Sequence, residues 1–204
     1  MRFFQTAELS LHQSPFVPTG DWRGQPLEPT LPQPPESLLP WLEYPGSLTA
    51  ALKQQSGGDF RVQVLFQGWQ LPLAEECLTL KLHEHSRALV REVLLYGRGQ
   101  PWVYARSVLP MRSLQGKSRN LRSLDDRPLG ELLFSEPDIH RGDIQFNRLR
   151  RNPKIPLDPL CSENENAWGR RSTFWLRGKP LLVAETFLSS FQPESPPMAA
   201  AVTN

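Results

Sequence analysis

Two short glycine turns constrain this chain more than any other feature. Residues 87–96 and 101–109 are β-rich apolar runs joined by Gly97-Arg98-Gly99-Gln100. Residues 171–176 and 180–188 form a second such pair around Arg177-Gly178-Lys179. Two β-forming runs separated by a tight glycine turn make an antiparallel hairpin. Hairpins bring neighbouring strands together without a crossover helix, so the sheet they build is antiparallel.

The rest of the chain supplies helices and edges. Residues 36–45 read as a short helix stopped by Pro45, and Ser47 caps a second helix over 48–55 with Leu48, Ala51 and Leu52 on one face. Gly57-Gly58 ends it. Residues 60–69 alternate as a strand, with Val62, Val64 and Phe66 predicted on one side. The pattern over 74–85 fits helix or strand. Residues 119–134 contain helical pieces divided by Pro128, residues 138–150 mix strand formers with charge, and residues 151–167, with Pro153, Pro156 and Pro159, read as a loop. Helices, hairpins, helices and hairpins in that order predict an α+β fold, an antiparallel sheet with helices on one face.

Prolines set the domain limits. Pro15, Pro18, Pro26, Pro29, Pro32, Pro34 and Pro35 exclude a regular helix or a central strand from residues 1–35, which read as an extended arm. Residues 192–204 read as a disordered tail, which leaves one domain over 36–191.

Several function classes are disfavoured. The chain carries 23 Lys plus Arg against 21 Asp plus Glu, too even a balance for a phosphate-seeking surface, so nucleic acid is not an expected partner. No apolar run has signal-peptide or membrane-spanning length, and the expectation is a cytoplasmic monomer that is not an integral membrane protein. Cys77 and Cys161 stand far apart without a CxxC and read as reduced thiols. Neither a Walker-type loop nor a GxGxxG turn is present to cradle a nucleotide, and no nucleophile elbow is present for Ser/His/Asp chemistry. The histidines are His12, His83, His85 and His140. His83 and His85 would share a face only on a strand, with no carboxylate or cysteine at metal spacing, so no metal is expected.

Two charges break the apolar pattern of the hairpins. Arg91 shares a strand face with Leu89, Val93 and Leu95, and Glu185 shares one with Leu181, Val183 and Phe187. A charge buried among apolar side chains is costly unless it is paired or bound to something. Two readings follow. Arg91 and Glu185 pair with each other, or they flank a pocket in which Arg91 holds an anion and Glu185 a polar group at its far end. Arg148-Leu149-Arg150-Arg151 and Arg170-Arg171 read as solvated strand ends, although Arg170 or Arg171, in a hairpin with the Glu185 strand, could also help bind an anion.

Taken in order, these residues resemble a known family. Val90-Arg91-Glu92-Val93-Leu94-Leu95 followed by Gln100-Pro101-Trp102-Val103-Tyr104-Ala105-Arg106-Ser107 is similar to the central hairpin of chorismate pyruvate-lyase. Pro128-Leu129-Gly130 and the block Trp168-Gly169-Arg170-Arg171-Ser172 through Gly178-Lys179-Pro180 to Glu185-Thr186-Phe187-Leu188 match the same family in order and spacing. The resemblance covers roughly residues 38–190. It implies an enzyme that splits chorismate into 4-hydroxybenzoate and pyruvate without metal or organic cofactor. The step would be the first committed one toward a quinone head group, ubiquinone or plastoquinone. It also implies helical flaps over an internal site, with Arg91 on the ring carboxylate, Glu185 at the oxygen end of the ring, and Leu48 and Leu129 in the wall. Leu48 stands where the family can carry Met. Segment 137–167 is longer than the family pattern and the proline-rich arm is additional, which bears on lid behaviour. A closed site implies slow release of 4-hydroxybenzoate. A rival reading comes from the effector-binding domain of GntR-type regulators, which resembles the same fold and binds small molecules without chemistry. Residues 1–35 are too short and proline-rich for a winged helix, so that reading leaves a stand-alone sensor. A third is an inert module with Arg91 and Glu185 as a plain ion pair.

Overall fold

Both predicted hairpins lie in the middle of one sheet. A computed structural model describes residues 14–24, 32–155, 157 and 166–194. With elements numbered along the chain, β3 (Ala88–Gly97) and β4 (Gln100–Pro110) form one hairpin, and β7 (Asn166–Leu176) and β8 (Lys179–Phe187) the other. Each closes on an Arg-Gly pair at positive φ: Arg98 at 51° and Gly99 at 74°, Arg177 at 52° and Gly178 at 72°. Two successive left-handed residues make a type I′ turn, whose twist suits the strands it joins. β4 and β8 pair antiparallel and join the hairpins. The sheet runs β1 (Phe16–Pro18), β6 (Gln145–Arg151), β7, β8, β4, β3 and β2 (Phe60–Gln70), with β5 (Ile139–Arg141) beside the far end of β7. No helix of the described residues is long and apolar enough to cross a membrane.

Apolar clusters cover both faces of the central strands, which is why β3 is buried along its whole length, Arg91 and Glu92 included. On the inner face, α1 (Leu39–Glu43) and α2 (Leu48–Ser56) seal one end, where Trp41, Leu42, Leu48 and Leu52 pack on Val93, Val103, Ala105 and Phe187. Two 3-10 segments, Met111–Leu114 and Gly116–Arg122, and α4 (Leu129–Ser135) seal the other. There Leu114, Leu124, Leu129 and Leu133 pack on Leu89, Leu109, Phe174 and Leu181. The ambiguous segment 74–85 resolves as α3 (Ala74–Leu80), followed by a turn that leaves His83 and His85 exposed. α3 lies on the opposite face, with Leu80 against Val90, Val108 and Leu182. Its Cys77 is buried and free; Cys161 lies outside the described residues.

The structure corrects or extends several sequence readings. Val62, Val64 and Phe66 do not share a side. A bulge between Val64 and Phe66 leaves Leu65 unpaired, so Val64 faces Val93 but Phe66 faces Glu92 and joins the opposite cluster. One extra residue reverses every side chain after it. The predicted loop over 151–167 ends earlier, because β7 starts at Asn166; residues 156 and 158–165 lie outside the described set. The described part of the arm supplies β1, which pairs with β6 at the sheet edge, where prolines are tolerated. At the C-terminal end, the Gln192 carbonyl accepts from Gln55 Nε2 at 2.8 Å and the Glu194 carbonyl from Trp41 Nε1. Residues 195–204 of the predicted tail lie outside the described set.

Candidate active site

The two inner apolar clusters do not meet, and the floor between them is polar. Cross-strand register places Arg91 beside Ser107, Ser107 beside Val183 and Val183 beside Ser172. The next inner row is Val93, Ala105, Glu185 and Arg170. On β8, Leu181 (0% exposed) and Phe187 (3%) are sealed, whereas Val183 and Glu185 between them keep accessible surface. The packing over β8 is therefore incomplete at this point, although β8 is flanked by strands on both sides.

Arg91 forms one end of this gap and is 3% exposed. Its Nη1 donates to Gln67 Oε1 at 2.6 Å, and its Nη2 to the carbonyls of Asp125 at 2.7 Å and Arg127 at 3.2 Å. The bulge in β2 makes the first contact possible, since it turns Gln67 onto the inner face opposite Arg91. The turn after the 3-10 segments, with Asp125 at φ 50°, presents the two carbonyls. Among the described residues no carboxylate lies within 4.0 Å of the guanidinium. Burial pushes Arg91 below the ordinary arginine range, opposed by the charges of the exposed Asp125 and Asp126. Three of its five N–H groups are used by these bonds, which leaves donors for an anionic ligand.

Arg91 and Glu185 do not pair. They stand two strands apart and one inner position offset, which is about 12 Å between Cα atoms by ordinary strand spacings. That separation accommodates two side chains with a small ring between them. Glu185, 15% exposed at its side chain, accepts at Oε2 from Arg170 Nε at 2.7 Å. Arg170 is fully buried, and its Nη1 also donates to the carbonyls of Trp41 at 2.9 Å and Tyr44 at 2.7 Å. It thus ties the end of α1 to the floor and holds one oxygen of Glu185, while Oε1 has no protein donor among the described residues. Arg171 points to the other face and pairs with Glu75. Of the two arginines flagged in sequence, one therefore orients the candidate carboxylate and the other lies outside the site.

Leu48 and Leu129 belong to the two apolar clusters on either side of these rows. Leu48 opens α2 and shares a cluster with Val93 and Ala105; Leu129 opens α4 and belongs to the cluster that holds Leu89 and borders Val183. Both helices begin at the same seam. A methyl group on Gly130 would stand 3.0 Å from Thr49 Oγ1, which marks how closely α4 approaches α2 there. Lys53 Nζ and Glu131 Oε1 bridge the two helices at 2.6 Å. Leu48 and Leu129 thus stand at the starts of two helices that approach each other, while Arg91 and Glu185 stand in the two floor rows.

Gln67, Ser107, Ser172 and Arg141 are additions that sequence reading missed. Arg141, half-buried on β5, donates from Nε to Ser172 Oγ at 3.0 Å and from Nη1 to the Pro45 carbonyl at 3.0 Å. Burial, and then the charge of Arg170, press it down to about 10, with Glu185 opposing. It remains a cation at neutral pH. Charge within a strand-like run was the available signal for Arg141; for Gln67 there was none without the bulge. Among the described residues, no three His, Cys, Asp or Glu side chains are grouped to hold a metal ion.

Comparison with known proteins identifies the family. A family model described as chorismate lyase matches residues 26–193. A Methylococcus capsulatus protein named "Probable chorismate pyruvate-lyase" is 44% identical over 149 residues, covering 72% of this chain and 92% of that relative. A Pseudomonas aeruginosa protein of the same name is 43% identical over 154 residues, covering 76% of this chain and 84% of its own length. Among solved structures, one described as the ligand-binding domain of a GntR-family transcriptional regulator from Bordetella bronchiseptica has a TM-score of 0.50 at 17% identity, covering 66% of this chain and 87% of its own. A GntR-family regulator from Bacillus cereus has a TM-score of 0.51 at 9% identity, covering 67% and 96%. At such identities the structural likeness concerns the fold alone.

Proposed function

The chain belongs to the chorismate lyase family, and from that premise we propose that it cleaves chorismate to 4-hydroxybenzoate and pyruvate. The observation that carries this reading is Arg91: a buried guanidinium with no carboxylate partner among the described residues, on the polar stretch between the two inner clusters that also holds Glu185. A buried cation held only by neutral acceptors is suited to an anion from outside. The ring carboxylate would lie on Arg91, and the ring between Leu48 and Leu129. Glu185 Oε1 would accept from the ring hydroxyl that becomes the phenol, with Arg170 fixing the other oxygen.

The reaction suits so spare a site. The bond between the ring carbon and the ether oxygen breaks, the ring carbon bearing the hydroxyl loses its proton, and the enolpyruvate released takes up a proton to become pyruvate, so no electrons and no cofactor are needed. Aromatisation supplies the driving force. The protein's task is to fix a reactive conformer and to stabilise charge moving toward the ether oxygen. The product would feed a quinone head group, ubiquinone or plastoquinone, in the cytoplasm.

The test is to mix purified, metal-stripped protein with chorismate and quantify the products. Equal amounts of 4-hydroxybenzoate and pyruvate without added cofactor are expected. Tight chorismate binding without turnover would replace the lyase with a sensor.

The covers make a second expectation. Both capping helices must part to release a product held beneath Leu48 and Leu129, and the Lys53–Glu131 pair joins them across the seam. Lys53→Ala should raise the dissociation rate of 4-hydroxybenzoate several-fold, read by stopped-flow displacement. Stability should change by only about 0–1 kcal/mol, because the pair is largely exposed. The reversed pair, Lys53→Glu with Glu131→Lys, should restore slow release. An unchanged off-rate in Lys53→Ala would remove the pair from the lid.

A further inference from the structure

Resting on the lyase reading, we propose that Arg141 binds the substrate's second carboxylate, the one on the enolpyruvyl group that departs as pyruvate. Three guanidiniums reach the middle of the inner face: Arg91, Arg170 and Arg141. Arg170 is neutralised by Glu185 at 2.7 Å. Arg91 and Arg141 have no carboxylate within 4.0 Å among the described residues. The gap therefore carries two cations not matched by a contacting carboxylate, and chorismate is a dianion.

Position agrees with charge. Arg141 hangs over the row that begins at Arg91 and ends at Ser172, its Nε on the Ser172 hydroxyl and its ring contact on Phe174. It stands near Glu185 and Arg170, at the opposite side of the gap from Arg91. The enolpyruvyl ether is attached next to the ring hydroxyl, so its carboxylate falls on the Glu185 side once the ring carboxylate is on Arg91. Nε and Nη1 of Arg141 are held by Ser172, Tyr44 and Pro45, which fixes the plane of the guanidinium. Nη2 has no partner among the described residues and is left for a ligand. The carbonyls that hold Nη1 belong to the link between α1 and α2, so a substrate bound at Arg141 also touches one of the covers.

The product separates this role from a structural one, because 4-hydroxybenzoate keeps the ring carboxylate and lacks the other. In Arg141→Ala, kcat/KM for chorismate should fall on the order of 10²-fold, while Kd for 4-hydroxybenzoate stays within about twofold of wild type. Arg141→Lys, which keeps charge but loses the planar fork, should fall between. Unaltered 4-hydroxybenzoate binding serves as the check that the variants are folded. Equal losses for chorismate and 4-hydroxybenzoate, or unchanged chorismate kinetics, would overturn the assignment while wild-type turnover stands. Absence of turnover by the wild-type chain would overturn the lyase reading, and this assignment with it.

Discussion

Arg91→Met should abolish most turnover and leave the fold nearly as stable as before. Truncating one side of a buried charge contact costs about 2–5 kcal/mol of binding, so kcat/KM for chorismate should fall roughly 10²- to 10³-fold. The affinity for 4-hydroxybenzoate should fall in parallel, because the ring carboxylate on Arg91 is present in substrate and product alike; this distinguishes Arg91 from Arg141. Stability should behave differently. Arg91 is buried against Gln67 and two carbonyls and has no counter-ion among the described residues, so the folded chain bears its desolvation without an ion pair in return. Removing the charge relieves that cost and leaves three acceptors without a donor, two opposed terms of about 1–3 kcal/mol each. The midpoint of thermal unfolding should therefore move by only a few degrees. A large loss of stability with product affinity preserved would make Arg91 a structural residue. Arg91→Lys should rescue little, since an ammonium cannot span Gln67 and the 125–127 turn while presenting a fork to the ligand.

The hairpins, the two inner helices and the misplaced charges of Arg91 and Glu185 were legible because each rests on local chemistry, whereas Leu48 and Leu129 entered through the family resemblance alone. A type I′ turn shows itself in Arg-Gly pairs, a cap in Ser47, and a misplaced charge in the alternation around Arg91 and Glu185. The strand pairings that complete the site were less legible, because they depend on register. No composition signal marks the extra residue at Leu65, yet it turns Gln67 toward Arg91. Arg141 sits on a three-residue strand that pairs with the far end of β7, too short to alternate visibly. α3 carries charge on a helix that packs face-down on the sheet, so Glu76 resembles a surface residue in sequence although it is buried. The pairing of Arg170 with Glu185 could have been found by aligning the second hairpin on its turn, since the I′ turn alone sets that register.

The face opposite the site should be where the fold is most easily broken. There Arg106 donates to both oxygens of Glu76, at 2.7 and 3.0 Å, and to Glu92 Oε1 at 2.6 Å, which also accepts from Tyr104 at 2.6 Å. All four side chains are buried. Burial opposes the charge of Arg106, but the hydrogen bonds and charge of Glu76, with Glu92 behind them, outweigh it and hold its proton more tightly than usual. Burial and the Glu92 charge push the Tyr104 hydroxyl well above its ordinary range. One cation thus serves two carboxylates, one on α3 and one on the central strand β3. Arg106→Leu would leave both carboxylates buried without this counter-ion, a loss of about 3–5 kcal/mol, against a total stability of about 5–15 kcal/mol for a folded chain. The unfolding midpoint should fall by roughly 6–20 °C. Adding Glu76→Gln and Glu92→Gln should recover part of the loss, because the cost lies in unpaired charge more than in absent contacts. Arg91 and Arg106 sit on opposite faces of adjacent strands, and the contrast between them states how this sheet divides its labour: the arginine with two carboxylates secures the fold, and the arginine with none is left free for the ligand. Equal thermal losses in Arg91→Met and Arg106→Leu would refute that division.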